Sequence, residues 1–547
     1  MNLAEVLLNA MKDIGTKEIF GIPGDFALPF FKVIEESGIL PVYTVSHEPS
    51  VGFAADAASR CHKAPSVAAI TYGAGGFNML NPIAAAYVEK VPVIVISGGP
   101  GKGDKATGLL VHHQAKTLNS QLQVYKEVTC DQVILGNAKD APAQIARVLS
   151  NCIKHSRPVY IEIPTDQVFE TCDPVDLKSI DTQILSDKNE LRTSVDKTVE
   201  QLKNALSPVL IVGIEIRRYS IEKQIASLAN HLGIPVVTTL MGRGLLSHED
   251  VEVMGTYMGI AGDPEIKELV ENSDAPIYLG TILSDGNFGV AEKKIDFQKV
   301  IVASDHQVSM DNHVYHDVSL KDFVEELHRC SEQHPQTKLL PSIKPDYPRN
   351  LCIDELPVTP TDIAKAINDL FEETGQMPIA SDMGDCFFTS LDIDCTDIAA
   401  NAFYASMGYG VPASFGIQAA TGKRPIVLVG DGAFQMTGWE LLNTVKYGWN
   451  PIVIVLNNSS WEMMRTLQPE AEFSDLPELN YAMLGNELGG RGHRVTSKEQ
   501  LKQALKDAWD DKGSFQLIDV IINKEVLSNK LIGFITGITK MRAQASA

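Results

Sequence analysis

The residues best suited to chemistry in this chain stand at Gly430-Asp431-Gly432 and, after twenty-four intervening residues, at Asn457-Asn458. The triplet follows an apolar, β-branched run at 425–429 and opens an amphipathic stretch at 433–447. The asparagine pair closes the next apolar run, 451–456. A glycine turn that opens a helix presents backbone N–H groups to a phosphate. Asp431 and Asn458 would deliver a carboxylate and an amide oxygen from neighbouring strand ends. That is hard-oxygen ligation suited to Mg²⁺ bridging a diphosphate. A helix-capping aspartate and a polar loop explain either motif alone. Both at adjoining strand ends favour the metal.

Four other stretches carry reactive side chains. Glu48 stands in Ser46-His47-Glu48-Pro49 after the strand-like 41–45, where a first-turn glutamate suits the helix dipole. Asp25 follows a Pro-Gly turn, His112 and His113 sit in a loop, and Thr71 ends an apolar run. Singly, each reads as an ordinary turn, loop or strand-end residue.

Positioning these groups requires strands that end together. Short β-branched runs recur at 66–71, 92–97, 158–163, 208–212, 235–239, 276–280, 300–303, 425–429 and 451–456. They are apolar throughout and separated by helical stretches, as in parallel sheets covered by helices on both faces. Two stretches break the alternation: the charged 173–192, and 335–360 with its six prolines. They divide the chain into three α/β units at about 1–175, 190–335 and 355–547.

Composition narrows the class further. With 547 residues, 44% hydrophobic and 21% charged, the chain can bury several cores and is not largely disordered. A net charge of −22 repels a polyanion, so nucleic acid is an improbable partner. Eight scattered cysteines form no CxxC pair, which leaves neither a zinc nor a redox motif. The N-terminus lacks the basic start and apolar core of a signal peptide, and no run approaches the ~18 apolar residues of a membrane span. A cytoplasmic protein is expected.

GDG followed after two dozen residues by NN resembles the signature of the thiamine-diphosphate-dependent enzymes. The resemblance implies three doubly wound domains binding the pyrimidine end, nothing catalytic, and the diphosphate end in turn. It implies that Asp431, Asn458 and the backbone carbonyl of Ser460 ligate Mg²⁺, with Gly432 and Ala433 beside the cofactor. Many relatives carry glycine at the place of Ser460. Asp385 would contact the diphosphate end, Ala405 the amino group, and Met407 would bend the cofactor. Glu48 would hydrogen-bond the pyrimidine ring and promote the tautomer that acts as base. Asp25, His112, His113 and Thr71 match the set found in pyruvate and indolepyruvate decarboxylases and lacking in acetolactate-synthase-like relatives. FGIPGDFALPFFKV, DMGDC and GDGAFQMTGWE are closest to the phenylpyruvate and indolepyruvate branch.

One position departs from that pattern. Pyruvate decarboxylases carry a glutamate six residues after the metal-binding asparagine, and here it is Met464, which cannot relay protons. Asp285 is a candidate replacement. Phe387, where those enzymes carry tryptophan, would open the substrate cleft to an aromatic group. The expected activity is non-oxidative decarboxylation of a 2-oxo acid, phenylpyruvate or a similar bulky one, to an aldehyde and CO2. The alternatives are a carboligating synthase and a cofactor-binding protein without catalysis. The family further implies a homo-oligomer, a dimer or a dimer of dimers, with Glu48 of one copy facing the metal motif of another.

Overall fold

Every run predicted above as a strand is one, and among the described residues nine further strands complete three sheets. The computed structural model describes residues 1–285, 296, 298–332, 343–394 and 397–545. The start of the proline-rich stretch, up to residue 342, lies outside these, as do Gly286, Asn287 and Cys395.

The first sheet holds β1 (Ile19–Gly21), β2 (Val42–Thr44), β3 (Ser66–Ile70), β4 (Val93–Gly99), β5 (Asp131–Ile134) and β6 (Val159–Pro164). Its order is β2-β1-β3-β4-β6-β5, parallel throughout. The third holds β14 (Ile379–Ser381), β15 (Ile398–Ala399), β16 (Ile426–Gly430), β17 (Ile452–Asn457), β18 (Arg491–Val495) and β19 (Gln516–Ile521). Its order, β15-β14-β16-β17-β19-β18, repeats that of the first, again all parallel. Between them lies a sheet of β7 (Pro208–Val212), β8 (Val236–Thr238), β9 (Val253–Thr256), β10 (Ala275–Leu279), β11 (Ile301–Ser304), β12 (Gln307–Met310) and β13 (His313–Tyr315). It is parallel except for β12 and β13, which turn back antiparallel at one edge. The tight connections there, with Asp305, His306, Asp311 and Asn312 all at positive φ, leave no room for a crossover helix.

Burial on both faces explains why the strands read as continuous apolar runs. In the first sheet Val67, Ala69, Ile94 and Ile96 enter one core, while Ala68, Ile70, Val93 and Val95 enter another. The second of these cores also takes Val427, Val429, Val453 and Val455 from the third sheet. The helices Glu48–His62 and Gly410–Thr421 cross between the two sheets. Their contact is close because both are built from small residues there. A Cβ on Gly416 would lie 2.2 Å from the Ala54 carbonyl oxygen and 2.8 Å from the Ala58 nitrogen. Alanine is the better helix former by ~1 kcal/mol, but overpacking a rigid backbone contact costs ~1–3 kcal/mol. Gly416→Ala should therefore lower the thermal midpoint, and a midpoint unchanged or raised would refute this packing account.

A buried ionic network ties the same two units. Arg60 donates to Asp56 at 2.6 Å and to Glu89 at 2.7 Å, and Tyr409 donates to Asp56 at 2.8 Å. Glu89 in turn accepts the N–H groups of Phe403 and Tyr404 at 2.8 and 3.0 Å, fixing the loop that enters Ala405. Among the described residues no helix is long and apolar enough to cross a membrane.

Candidate active site

Two groups of residues gather at strand ends, one in the first unit and one in the third. In the third, β16 ends at Gly430 and the helix Asp431–Thr437 begins on Asp431. The Asp431 carboxylate is 2% exposed and accepts the N–H groups of Gly432 at 2.8 Å and Ser459 at 2.6 Å. Those bonds lower its pKa, but burial is the larger effect and pushes it up to about 6. Among the described residues no cationic side chain pairs with it. A buried carboxylate without a counter-charge is costly, and a divalent cation is the partner its chemistry lacks.

The two asparagines at the end of β17 separate in role. Asn457 donates to Asp519 at 2.8 Å inside the sheet. Asn458 lines a cavity of about 250 Å³ together with Asp431 and Ser460. Ser459, between them, sits at φ +53, a left-handed turn that costs energy for a non-glycine residue. The Ser460 hydroxyl is taken by Arg465 Nε at 3.0 Å. Gly432, Ala433, Asp385, Ala405 and Met407 line the same cavity. Added Cβ atoms on Gly384 and Gly430 would meet nothing within 4 Å, so both backbones have room for a close ligand. Gly432 has another reason to be glycine: its Cβ would lie 2.2 Å from the Trp461 ring. The donor set and the open glycine backbone fit a metal-bound diphosphate.

Some details differ from what the spacing suggested. The Asp385 carboxylate, pushed up to about 6 by burial, is committed to the Ser528 N–H at 2.9 Å and to its hydroxyl. Its position thus offers the cavity backbone rather than charge. Ala405 stands at φ +61, and its loop is pinned from below by Asp382, which accepts the N–H groups of Gly408 at 3.0 Å and Gly410 at 2.8 Å. Sequence reasoning passed over Asp382, because the three-residue strand before it, Ile379–Ser381, is too short to stand out as an apolar run. Phe387 does not line this cavity; it packs against Phe388, Leu391, Leu240 and Met258. The apolar wall is made by Met383, Leu456, Trp461, Met463, Met464 and Val526 instead. Asp285 is exposed at the edge of the described residues and is not among the lining groups. The carboxylate near Met464 is Glu462, buried, with one oxygen accepting the Glu525 N–H at 2.8 Å and the other lacking a partner among the described residues.

In the first unit Asp25 accepts from Thr71 Oγ1 at 3.1 Å and pairs with His112, while His113 Nε2 lies 3.8 Å away. Burial tends to raise the Asp25 carboxyl, yet hydrogen bonds from His112, the Phe26 N–H and Thr71 outweigh it and hold the pKa below the ordinary value. Phe26 stacks on the His112 ring with centroids 4.6 Å apart. Two glycines make the cluster possible. A Cβ on Gly24 would strike Thr71 at 2.6 Å, and one on Gly73 (φ +66) would lie 2.0 Å from the His113 carbonyl oxygen. Gln121, buried and also missed by sequence reasoning, holds the Gly73 N–H at 2.6 Å. Glu48 begins the helix Glu48–His62 and accepts from Asn78 at 2.7 Å. It neighbours Thr71, both side chains lying within 3.5 Å of where a Gly75 Cβ would be. None of Asp25, Glu48, Thr71, His112 and His113 lines the Asp431 cavity of the same chain.

Comparison with known proteins agrees with this division into units. The chain matches the family models for the N-terminal TPP binding domain of thiamine pyrophosphate enzymes over residues 1–124, the central domain over 195–328 and the C-terminal TPP binding domain over 390–520. It is 49% identical to indole-3-pyruvate decarboxylase of Azospirillum brasilense, over 99% of each chain. It is 28% identical to pyruvate decarboxylase 2 of Oryza sativa subsp. japonica and 27% identical to pyruvate decarboxylase 4 of Arabidopsis thaliana. Each alignment covers 97% of this chain and 90% of the relative.

Proposed function

This chain belongs to the thiamine pyrophosphate enzyme family, and from that premise we propose that it decarboxylates a bulky 2-oxo acid without oxidation, giving an aldehyde and CO2. The observation that carries the reading is the convergence of Asp431, Asn458 and Ser460 on one apolar-walled cavity. Asp431 and Asn458, with the Ser460 carbonyl, would hold Mg²⁺, and the backbone around Gly384 and Gly430 would receive the diphosphate. Thiamine diphosphate, when bound, supplies a nucleophilic carbon and an electron sink for the pair left as CO2 departs. Loss of CO2 must be followed by one proton reaching the former keto carbon. His112 and His113, buttressed by Asp25, are the proton donors of suitable type. That donor set favours the aldehyde over attack on a second 2-oxo acid, the carboligation route. Glu48, kept in place by Asn78, is the carboxylate that would hold or release a proton beside the cofactor's pyrimidine ring. The methionines and Trp461 give the cavity an apolar lining, and water displaced from it on substrate binding would strengthen the charge interactions within.

Because the Glu48 cluster and the Asp431 cavity are apart within one chain, the working unit is a homo-oligomer in which two copies complete each site. An exposed apolar stripe supports that reading: Met436, Trp439, Leu442 and Val445 all lie exposed. The stripe adjoins the segment leading to Glu48, since Ser46 donates its N–H to Glu440 at 2.9 Å and accepts from Asn443 at 3.0 Å. Solvent-facing large side chains at this density mark an interface.

Substrate size follows from the wall. Methionine adapts to irregular guests, and Trp461 adds an aromatic side chain to the wall. Burying a phenyl group contributes up to about 3 kcal/mol, roughly a hundredfold in specificity constant. Phenylpyruvate or indolepyruvate should exceed pyruvate at least ~tenfold in kcat/KM. Equal or better use of pyruvate in a steady-state panel would sink the aromatic preference.

A further inference from the structure

Among the described residues, Asp25, His112 and His113 form the one group of three or more histidine, cysteine or carboxylate side chains whose ligand atoms all lie within 4.8 Å of one another. Asp25 Oδ2 pairs with His112 Nε2, and Asp25 Oδ1 lies 3.8 Å from His113 Nε2. The two imidazole rings stand 5.0 Å apart, centre to centre. Ligand atoms around a tetrahedral zinc ion, each about 2.0–2.2 Å from it, stand roughly 3.3–3.6 Å from one another. Small rotations of the two rings bring the observed spacing to that. All three side chains are exposed, so an ion can reach them from solvent.

The three side chains are held in place by neighbours that are not themselves ligands. Thr71 Oγ1 and the Phe26 N–H both donate to the Asp25 carboxylate, the first at 3.1 Å. Phe26 also stacks on the His112 ring, which limits its rotation. His113 sits at φ +64, a left-handed conformation that a non-glycine residue adopts at a cost when its surroundings impose it. Hydrogen bonds that orient a ligand from behind strengthen a metal site. The donor set is selective as well. Imidazole nitrogen suits Zn²⁺, whereas Mg²⁺ takes oxygen ligands. Asp431, Asn458 and the Ser460 carbonyl offer oxygen alone, so the two ions would sort to different places in the chain.

We propose that Asp25, His112 and His113 form a zinc site that switches the enzyme off, an inference that rests on reading these histidines as its proton donors. A histidine donates from Nε2 only while that nitrogen carries a proton. Zinc takes the Nε2 lone pair, and its binding sends any proton there to solvent. The carbon left after CO2 departs then lacks its proton source. Three protein ligands leave a fourth position on the ion open to water, as in zinc sites that solvent can reach.

Calorimetric titration of the holoenzyme with zinc chloride in excess Mg²⁺ tests the assignment, with aldehyde formation followed in the same samples. The wild-type protein should bind zinc at one site per chain. Its turnover should fall at least ~10²-fold at saturation, the scale of lost proton-transfer assistance, and recover once a chelator removes the zinc and Mg²⁺ is restored. His112→Gln and His113→Gln should each weaken zinc binding by roughly tenfold or more, since even the partners behind a ligand contribute that much. Asp431→Ala, which removes the carboxylate meant for Mg²⁺, should keep the zinc site. Zinc binding unchanged in both histidine variants, or lost only in Asp431→Ala, would overturn the site. Undiminished turnover with the site saturated would overturn its role. The calorimetric arm needs no activity, so a failed decarboxylase reading would appear differently, as absent aldehyde with zinc binding intact.

Discussion

Asp431→Ala should fold, fail to retain Mg²⁺ and thiamine diphosphate, and lose at least ~10³-fold in turnover of 2-oxo acids, about 4 kcal/mol of transition-state stabilisation. The expectation rests on charge. Asp431 supplies the only carboxylate among the three proposed ligands, and the amide of Asn458 and a peptide carbonyl cannot offset a divalent ion or bridge it to a diphosphate. The substitution also leaves the Gly432 and Ser459 N–H groups without their acceptor, at ~1–3 kcal/mol each where water cannot reach them. Removing a buried, uncompensated carboxylate works in the other direction. Stability in the absence of cofactor should therefore change far less than activity. Calorimetric titration with cofactor and metal, beside a thermal melt, separates the two effects. Normal cofactor-dependent turnover in Asp431→Ala would exclude this cavity as the metal site.

Glu48→Gln is expected to bind cofactor normally and turn over at least ~10²-fold more slowly, the scale of lost proton-transfer assistance. Glutamine preserves the length and a hydrogen bond to Asn78, whose amide reaches Glu48 at 2.7 Å, but it cannot take up a proton. Unchanged kcat in this variant would remove Glu48 from the mechanism. The two variants together test the shared site. If each site takes Glu48 from one copy and Asp431 from another, reassembling a mixture of Glu48→Gln and Asp431→Ala chains rebuilds intact sites. With random pairing, about a quarter of wild-type activity returns. No recovery in a demonstrably mixed oligomer would place both residues in one chain's site.

The strands were legible because burial on both faces writes itself as uninterrupted β-branched runs, as in 92–97 and 451–456. The short strands β14, β15 and β18 were not, since they carry two to five residues and β18 includes two arginines and a histidine. Asp431 and Asn458 could be read from spacing, because strand ends of a parallel sheet must lie side by side. Phe387 could not: its place next to Cys386 in sequence says nothing about which side of a short helix faces the cavity, and the helix turns it into the apolar cluster with Leu240 and Met258. Asp382, Gln121 and Glu462 stayed anonymous for a related reason. Their work is to hold backbone N–H groups of distant loops, and no local pattern encodes a partner so far away in the chain. The repeated strand order of the first and third sheets was hidden as well, since it is a likeness of topology between units without repeated motifs.

Reconstitution tests the central claim most directly. Protein stripped of metal and cofactor by a chelator should be supplied with phenylpyruvate and assayed for phenylacetaldehyde and CO2 in equal amounts. The account predicts both products only when thiamine diphosphate and Mg²⁺ are added together, and neither with one alone. Equimolar aldehyde and CO2 from the stripped protein without thiamine diphosphate, or no CO2 from any 2-oxo acid with both present, would contradict it.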